Sequence, residues 1–371
     1  MDYPSLCLSY RVELILLILK KAKRGFTAKN NKESLMKKIV SVLLVLAVLS
    51  FSIFAQGGQE AAYPTRNINL VVPYNAGGTT DLTARALANG MAASLGVQIN
   101  ITNTPGASGA TGTMSVLNAP VDGYTLLGHG MLAFTTMPVT SNVTTKTYKD
   151  WDIWLATFSP NAICVSKDSP YNTIEDLVAD IKARPGQITF GTGGVGSGGH
   201  FGTQVLSAIA GSEVKHTPYN GGSAAVTALL SKEIDVCPQL LAELKDLIIS
   251  GDVKCLAVLA EDDIELAPGV VVPSILKSYP DAPYIPMGEV TGIMIPKGLD
   301  EASLQKLDAA FENAVKDQGF IDLCETKSFV INPMGRAESQ AYLDSFASNA
   351  CYILWDAEVA VNDPANFGFT R

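Results

Sequence analysis

Apolar and polar positions along this chain change period in a regular order. Ile68, Leu70, Val71 and Val72 form a short β-favouring run, which Pro73 ends because proline has no N–H to give a ladder. Leu82, Leu87, Met91 and Leu95 then recur at helical spacing. Residues 97–102 predict a second strand, residues 104–109 a turn into a small-residue helix through 117, and Asp122-Gly123-Tyr124 a turn before a strand over 125–127. A βαβαβ order of this kind implies a parallel sheet, with ligands at the carboxyl ends of its strands.

A weak internal repeat extends the reading. Residues 162–167 form a strand with a basic residue, then a turn and a helix over 173–183; residues 292–297 and 301–315 repeat that plan. Between them lie a strand at 187–190, the glycine loop 191–199, a helix from His200, a strand at 213–218, a helix after Gly221-Gly222, a helix over 240–250, and a strand at 253–259. Two similar α/β lobes, with the chain passing from one to the other and back, would produce this arrangement. The expected division is 63–163 plus 258–371 for one lobe and 164–257 for the other.

Asn75-Ala76-Gly77-Gly78-Thr79-Thr80-Asp81 joins the first strand to its helix. Gly77-Gly78 permits a sharp turn and close backbone approach, Thr79 and Thr80 are cap candidates, and Asp81 sits where the helix dipole favours a carboxylate. A helix N-terminus reached through such a turn presents unpaired N–H groups, an anion site made of backbone.

Upstream, Met36-Lys37-Lys38 precedes the apolar stretch 39–54 and then Ala55, the layout of a secretory signal over 36–55. It is short for a bilayer span of about 20 residues, so export with cleavage near Ala55 is expected over a retained anchor. Translation is expected to begin at Met36, which leaves residues 1–35 outside the protein. Residues 1–62 hold nine Lys/Arg and four Asp/Glu, so the remainder carries 18 bases against 32 acids, a net charge of −14. That balance argues against nucleic acid or an anionic membrane as a partner. Cys164, Cys237, Cys255, Cys324 and Cys351 are scattered, with no zinc-type spacing, and are expected as buried free thiols. No metal or cofactor is expected.

Other motifs carry rival readings. Residues 191–196 match the dinucleotide fingerprint GxGxxG, the basis of an NAD-binding oxidoreductase reading. Against it, Glu213 falls before the second strand, where a ribose partner does not belong, and Ser197-Gly198-Gly199 delays the helix. Ser108 and Ser223 sit in incomplete nucleophile-elbow settings, the basis of a secreted serine hydrolase reading. His129, His200 and His216 stand in no distinctive context for it. Trp151 and Trp154 read as core contacts, and Glu243 and Asp246 as solvated residues of the 240–250 helix.

Taken together, the motifs resemble the substrate-binding receptors of tripartite tricarboxylate transporters, the Bug-type extracytoplasmic solute receptors. Tyr63-Pro64 with 68–81 is similar to the family's "YP…I…VVP…AGG..D", 103–109 to "N.PGA.G", 119–126 to "A..DGYTL" and 191–200 to "G..G.GS..H". Pro218-Tyr219-Asn220-Gly221-Gly222-Ser223 resembles "PY.G..", with Ile234-Asp235-Val236, Ala242-Glu243 and 251–258 continuing the match. Asn220 in place of the usual Lys, Lys232-Glu233, and Pro238-Gln239-Leu240 depart from the pattern and bear on the ligand. The resemblance implies a type II periplasmic binding protein fold, two α/β lobes closing on a small carboxylated ligand held largely by backbone N–H groups. Citrate, other di- or tricarboxylates, amino acids and aromatic acids all suit such a pocket. It places Tyr74, Ala76, Gly77, Gly78, Thr79 and Asp81 in a first jaw, with Asp81 orienting its turn. Thr192, Gly193, Gly196, Ser197 and His200 form a second jaw, with Tyr219, Gly221 and Ser223 on the far wall. The implied partners are membrane permease subunits or a sensor kinase, with the receptor itself a monomer outside the cytoplasm and not an enzyme.

Overall fold

The computed structural model describes residues 63–144 and 146–371. The signal segment over 36–55 and the extension before Met36 lie outside the described residues. Among the described residues no helix is long and apolar enough to cross a membrane.

Strands β1 (Ile68–Val72), β2 (Ile99–Asn103) and β3 (Thr125–Gly130) pair in parallel in the order β2-β1-β3. Helix α1 (Thr79–Leu95) joins β1 to β2, and α2 (Ala110–Leu117) lies between β2 and β3. Leu87 and Met91 bury the inner face of α1, which ends at Gly96 with a left-handed φ of 72°. The helix approaches α8 (Glu301–Ala314) so closely that a Cβ on Gly90 would lie 2.7 Å from Ala314 Cα. Glycine is what permits that packing distance.

The sheet then turns antiparallel. β11 (Gly288–Pro296) pairs with β3 on one side and with β4 (Trp151–Ser166) on the other. β4 is 16 residues long, and two half-sheets share it. Residues 151–160 pair with β11, and Leu155, Thr157 and Phe158 with β12 (Val330–Met334). Residues 161–165 pair with β7 (Val236–Leu240) and 162–166 with β8 (Val253–Val258). β5 (Thr189–Thr192) and β6 (Lys215–Pro218) extend the second half in parallel beyond β7. The chain thus passes between the halves along β4 and again between β8 and β11. A strand arriving from the opposite half needs no crossover helix on its own sheet, so it can run antiparallel. This is the two-lobed type II periplasmic binding fold.

Trp151 and Trp154 are both 1 % exposed, and the Trp154 indole N–H donates to Asp308 at 2.8 Å. The five cysteines among the described residues are free thiols, four of them buried and Cys255 partly exposed. Helix α4 (Ile174–Ala183) starts with a capping box in which Thr173 and Asp176 satisfy each other's N–H groups.

Candidate functional site

Five helices begin around one small space where the half-sheets meet. Gly78 caps α1, Gly130 caps α3 (Met131–Thr140), Ser197 caps α5 (Gly198–Ala210), Gly221 caps α6 (Gly222–Leu230) and Leu240 caps α7 (Leu241–Ser250). All five cap residues line a cavity of about 40 Å³. Only Ser197 supplies a side-chain cap to its own helix, donated to by the His200 N–H at 3.4 Å. The other four begin without one. Each N-terminus leaves orphan N–H donors and the positive end of a helix dipole, so the cavity is surrounded by backbone suited to anions.

Two carboxylates from elsewhere in the chain serve part of that need. Glu243 Oε1 accepts the Thr79 N–H at 2.7 Å, and Glu243 Oε2 accepts from Gln239 Nε2 at 3.1 Å. Glu289 Oε1 accepts the Leu132 N–H at 2.8 Å. Three glycines make room for them. A Cβ on Gly130 would lie 2.7 Å from the Glu289 carboxyl carbon and one on Gly78 3.3 Å from Glu243 Oε1, while one on Gly222 would overlap both Glu243 and Gln239. Burial pushes the Glu289 carboxyl up to about 8, against the pull of the Leu132, Gly198 and Met131 N–H groups, with Glu243 adding repulsion. Burial also raises Glu243, although the Thr79 and Gln239 hydrogen bonds oppose it. Gln239 is 3 % exposed, and its Oε1 has no hydrogen-bond partner.

The expected site residues divide. Tyr74, Gly78, Thr79, Asp81, Gly193, Ser197 and Gly221 line the cavity. Asp81 orients its turn: Oδ2 accepts from the Gly77 N–H and from Arg85 Nε, both at 2.9 Å, and Oδ1 accepts from Asn103 Nδ2 at 2.9 Å. Those contacts hold its carboxyl below the usual range in spite of burial, with the Arg85 bond the strongest of them. Ala76, Gly77, Thr192, Gly196, His200, Tyr219 and Ser223 do not line the cavity. Ala76 and Gly77 are exposed on the outer side of the turn. Thr192 bonds His216 Nε2 at 2.6 Å, and the Tyr219 hydroxyl donates to Glu233 at 2.7 Å. His200 Nδ1 accepts the Gly196 N–H at 3.0 Å, and its ring stacks on His216 with centroids 4.1 Å apart. Burial pushes these two imidazoles down to about 3 and about 4, so both stay neutral. His200 is a packing residue that holds its loop, beside a separate groove.

Glu243 corrects its sequence reading. It is half-buried and bonded to the start of α1, because α7 packs against β4 with its first turn facing the cavity. Glu289 and Gln239 were missed. Each sits in a strand with no neighbouring motif, and only the Pro238-Gln239-Leu240 departure pointed near one of them.

The rival chemistries find no geometry. In the 191–196 loop, a Cβ on Gly194 would meet Ser108 Oγ at 2.8 Å and one on Gly196 would meet Thr136 Oγ1 at 2.5 Å. These glycines accommodate the protein's own side chains, whereas a dinucleotide fingerprint uses them for pyrophosphate. Ser108 Oγ accepts the Val195 N–H at 3.0 Å, and His129 Nδ1 meets the Gly130 carbonyl at 2.8 Å, so neither bond joins a serine to a histidine. A groove of about 820 Å³ beside Trp154 is larger, but its Arg336 is paired with Asp308 and Glu301 at 2.8 and 2.9 Å.

Residues 83–346 match the tripartite tricarboxylate transporter family receptor, TctC. A UPF0065 protein of Bordetella pertussis is 29% identical over 297 residues, covering 78% of this chain and 86% of its own. The periplasmic binding protein BugD superposes with a TM-score of 0.74 at 27% identity, over 80% of this chain and 99% of its own. MatC of Rhodopseudomonas palustris, solved with bound malate, superposes with a TM-score of 0.71 at 22% identity, over 80% of this chain and all of its own.

Proposed function

This chain belongs to the tripartite tricarboxylate transporter receptor family, and on that premise we propose that it captures a small carboxylated solute outside the cytoplasm and presents it to the permease subunits of a tripartite transporter. The observation that carries the reading is the convergence of five helix N-termini on one cavity at the junction of the half-sheets. Such an arrangement holds a carboxylate by N–H dipoles without Lys or Arg, which suits an acidic receptor binding an acid. The malate bound by MatC is of the same chemical class.

We infer that the lobes divide at 63–163 plus 258–371 against 164–257, and that they open to admit the solute. The cavity of about 40 Å³ has room for only a few waters, at the roughly 10–15 Å³ that each one needs. A solute of several carbons therefore enters an opened cleft and is enclosed as it shuts. The jaws already touch: the Asn75 N–H donates to the Asn220 carbonyl at 3.4 Å. Gly78, Ser197 and Gly221 are at hand for a carboxylate, and the Thr79 N–H would be so only once Glu243 is displaced.

The test is thermal unfolding of residues 63–371 with C3 to C6 carboxylic acids and, separately, with NAD. A ligand that binds only the folded form raises the melting temperature by mass action. A shift with at least one acid and none with NAD is expected; a shift with NAD alone would overturn the reading.

A further inference from the structure

We propose that the solute taken by this cleft carries a protonated amine, seated against Glu243, Glu289 and Gln239. The inference rests on the receptor reading above and narrows it from carboxylates in general to amino-bearing acids.

The cavity wall has a surplus of acceptors. Glu243, Glu289 and Gln239 all line it, and Gln239 Oε1, packed beside Gly199 at the start of α5, has no donor. The orientation of the Gln239 amide is set by its neighbour: Nε2 donates to Glu243, which leaves the oxygen as the free end. An ammonium has three donors and no acceptor, the complement of three acceptor groups. No Lys, Arg or His lines the cavity among the described residues. The remaining acid, Asp81, is already paired with Arg85 and Asn103.

Helix N-termini compensate the two carboxylates only in part. The Leu132, Gly198 and Met131 N–H groups pull on Glu289, and the Thr79 N–H and the Gln239 amide pull on Glu243, yet burial still raises both carboxyls, and Glu243 adds to the cost at Glu289. Two buried acids without a cation are a costly arrangement, which a ligand cation relieves by displacing the proton that Glu289 otherwise holds. The N–H donors of α6, whose cap Gly221 offers no side chain, stay available to the carboxylate of the same solute. The start of α6 lies directly beside Glu243 and Gln239, so a 2-amino acid places its neighbouring carboxylate and ammonium on adjoining groups. The rival use of these glutamates is as plugs, surrogate carboxylates that a purely anionic solute must displace. The two uses predict opposite ligand preferences.

Isosteric pairs separate them. The protein is titrated calorimetrically with 2-amino acids and the matching 2-hydroxy acids of three to six carbons (alanine and lactate, aspartate and malate, glutamate and 2-hydroxyglutarate, lysine and 2,6-dihydroxyhexanoate). The α,ω-diamines of the same lengths are run alongside. At least one amino acid should bind ten-fold or more tighter than its hydroxy partner. Glu243→Gln and Glu289→Gln should each cut that ratio at least ten-fold. The ratio is the readout, so a general loss of folded protein does not imitate the result. Hydroxy acids binding as tightly as amino acids, or more tightly in the Gln variants, would overturn the inference and leave the receptor reading standing. Diamines binding alone would keep the ammonium site and overturn the carboxylate reading. No binding across all three series would overturn both.

Discussion

Replacing Glu289 with glutamine should remove a pH-dependent part of the stability while leaving the fold in place. Glu289 is 5 % exposed, and burial lifts its carboxyl from 4.5 to about 8. In the unfolded chain a glutamate loses its proton near pH 4.3. Between those values the folded form holds a proton that the unfolded form has released, so stability falls as pH rises. This group's contribution is fully present below the unfolded pKa and is lost as pH climbs through about 8. Three buried histidines act in the opposite sense: His129, His200 and His216 are pushed down to about 4, 3 and 4. Their contribution is present above the ordinary histidine value near 6.5 and is lost toward acid, so they are silent above it. The window from about pH 6.5 to 9 is therefore free of the histidines, and the difference between wild type and variant within it isolates the glutamate. Integrating the linkage relation over that window gives a loss of about 2 kcal/mol for a carboxyl titrating near 8. Glutamine keeps an acceptor for the Leu132 N–H and cannot ionise. Urea unfolding at half-unit pH steps, on wild type and Glu289→Gln, reads the difference directly. The wild type should lose about 2 kcal/mol more than the variant across the window. Parallel curves would mean that Glu289 is already ionised at neutral pH and that the cavity is better solvated than its burial implies.

Two more outcomes follow from the same geometry. Gly222→Ala puts a methyl group where Glu243 Oε2 and Gln239 Nε2 lie. Both are ends of flexible side chains, and alanine is the better helix former by about 1 kcal/mol, so unfolding should change little while solute affinity falls at least ten-fold; unchanged calorimetric affinity would remove these side chains from the site. Small-angle scattering should give a smaller radius of gyration with saturating solute than without, because entry requires an opened cleft; identical profiles at proven saturation would refute lobe closure.

Much of the frame was legible in residue order. The strand at 68–72, the glycine turn at 77–78 and the following helix are local: β-favouring residues, a proline stop, then a helical stripe. The loop at 191–199 and the turn at 221–222 likewise open α5 and α6, although α5 begins at Gly198, two residues before the expected His200, because Ser197 caps it. What was not legible is how far each strand runs. Nothing near 151–166 announces a strand of 16 residues shared by two half-sheets, since its pairing partners lie at 236–240, 253–258, 288–296 and 330–334.

The cavity wall shows the same division. Backbone donors at a helix start are encoded by the few residues around it, and the family resemblance named Gly78, Ser197 and Gly221 among them. The groups that face those donors come from far along the chain. Glu243 reaches Thr79 across 164 positions and Glu289 reaches Leu132 across 157. Read in place, Glu243 is an ordinary helix acid and Glu289 an ordinary strand residue. Only the packing of α7 and β11 against the two half-sheets withdraws their carboxyls from water and sets them on helix N-termini. Sequence therefore determined where helix starts leave unpaired backbone donors, because hydrogen-bond donors at a helix start are a local property. Tertiary structure decided that two acids of its own already occupy part of them, because burial and the meeting of distant elements are not.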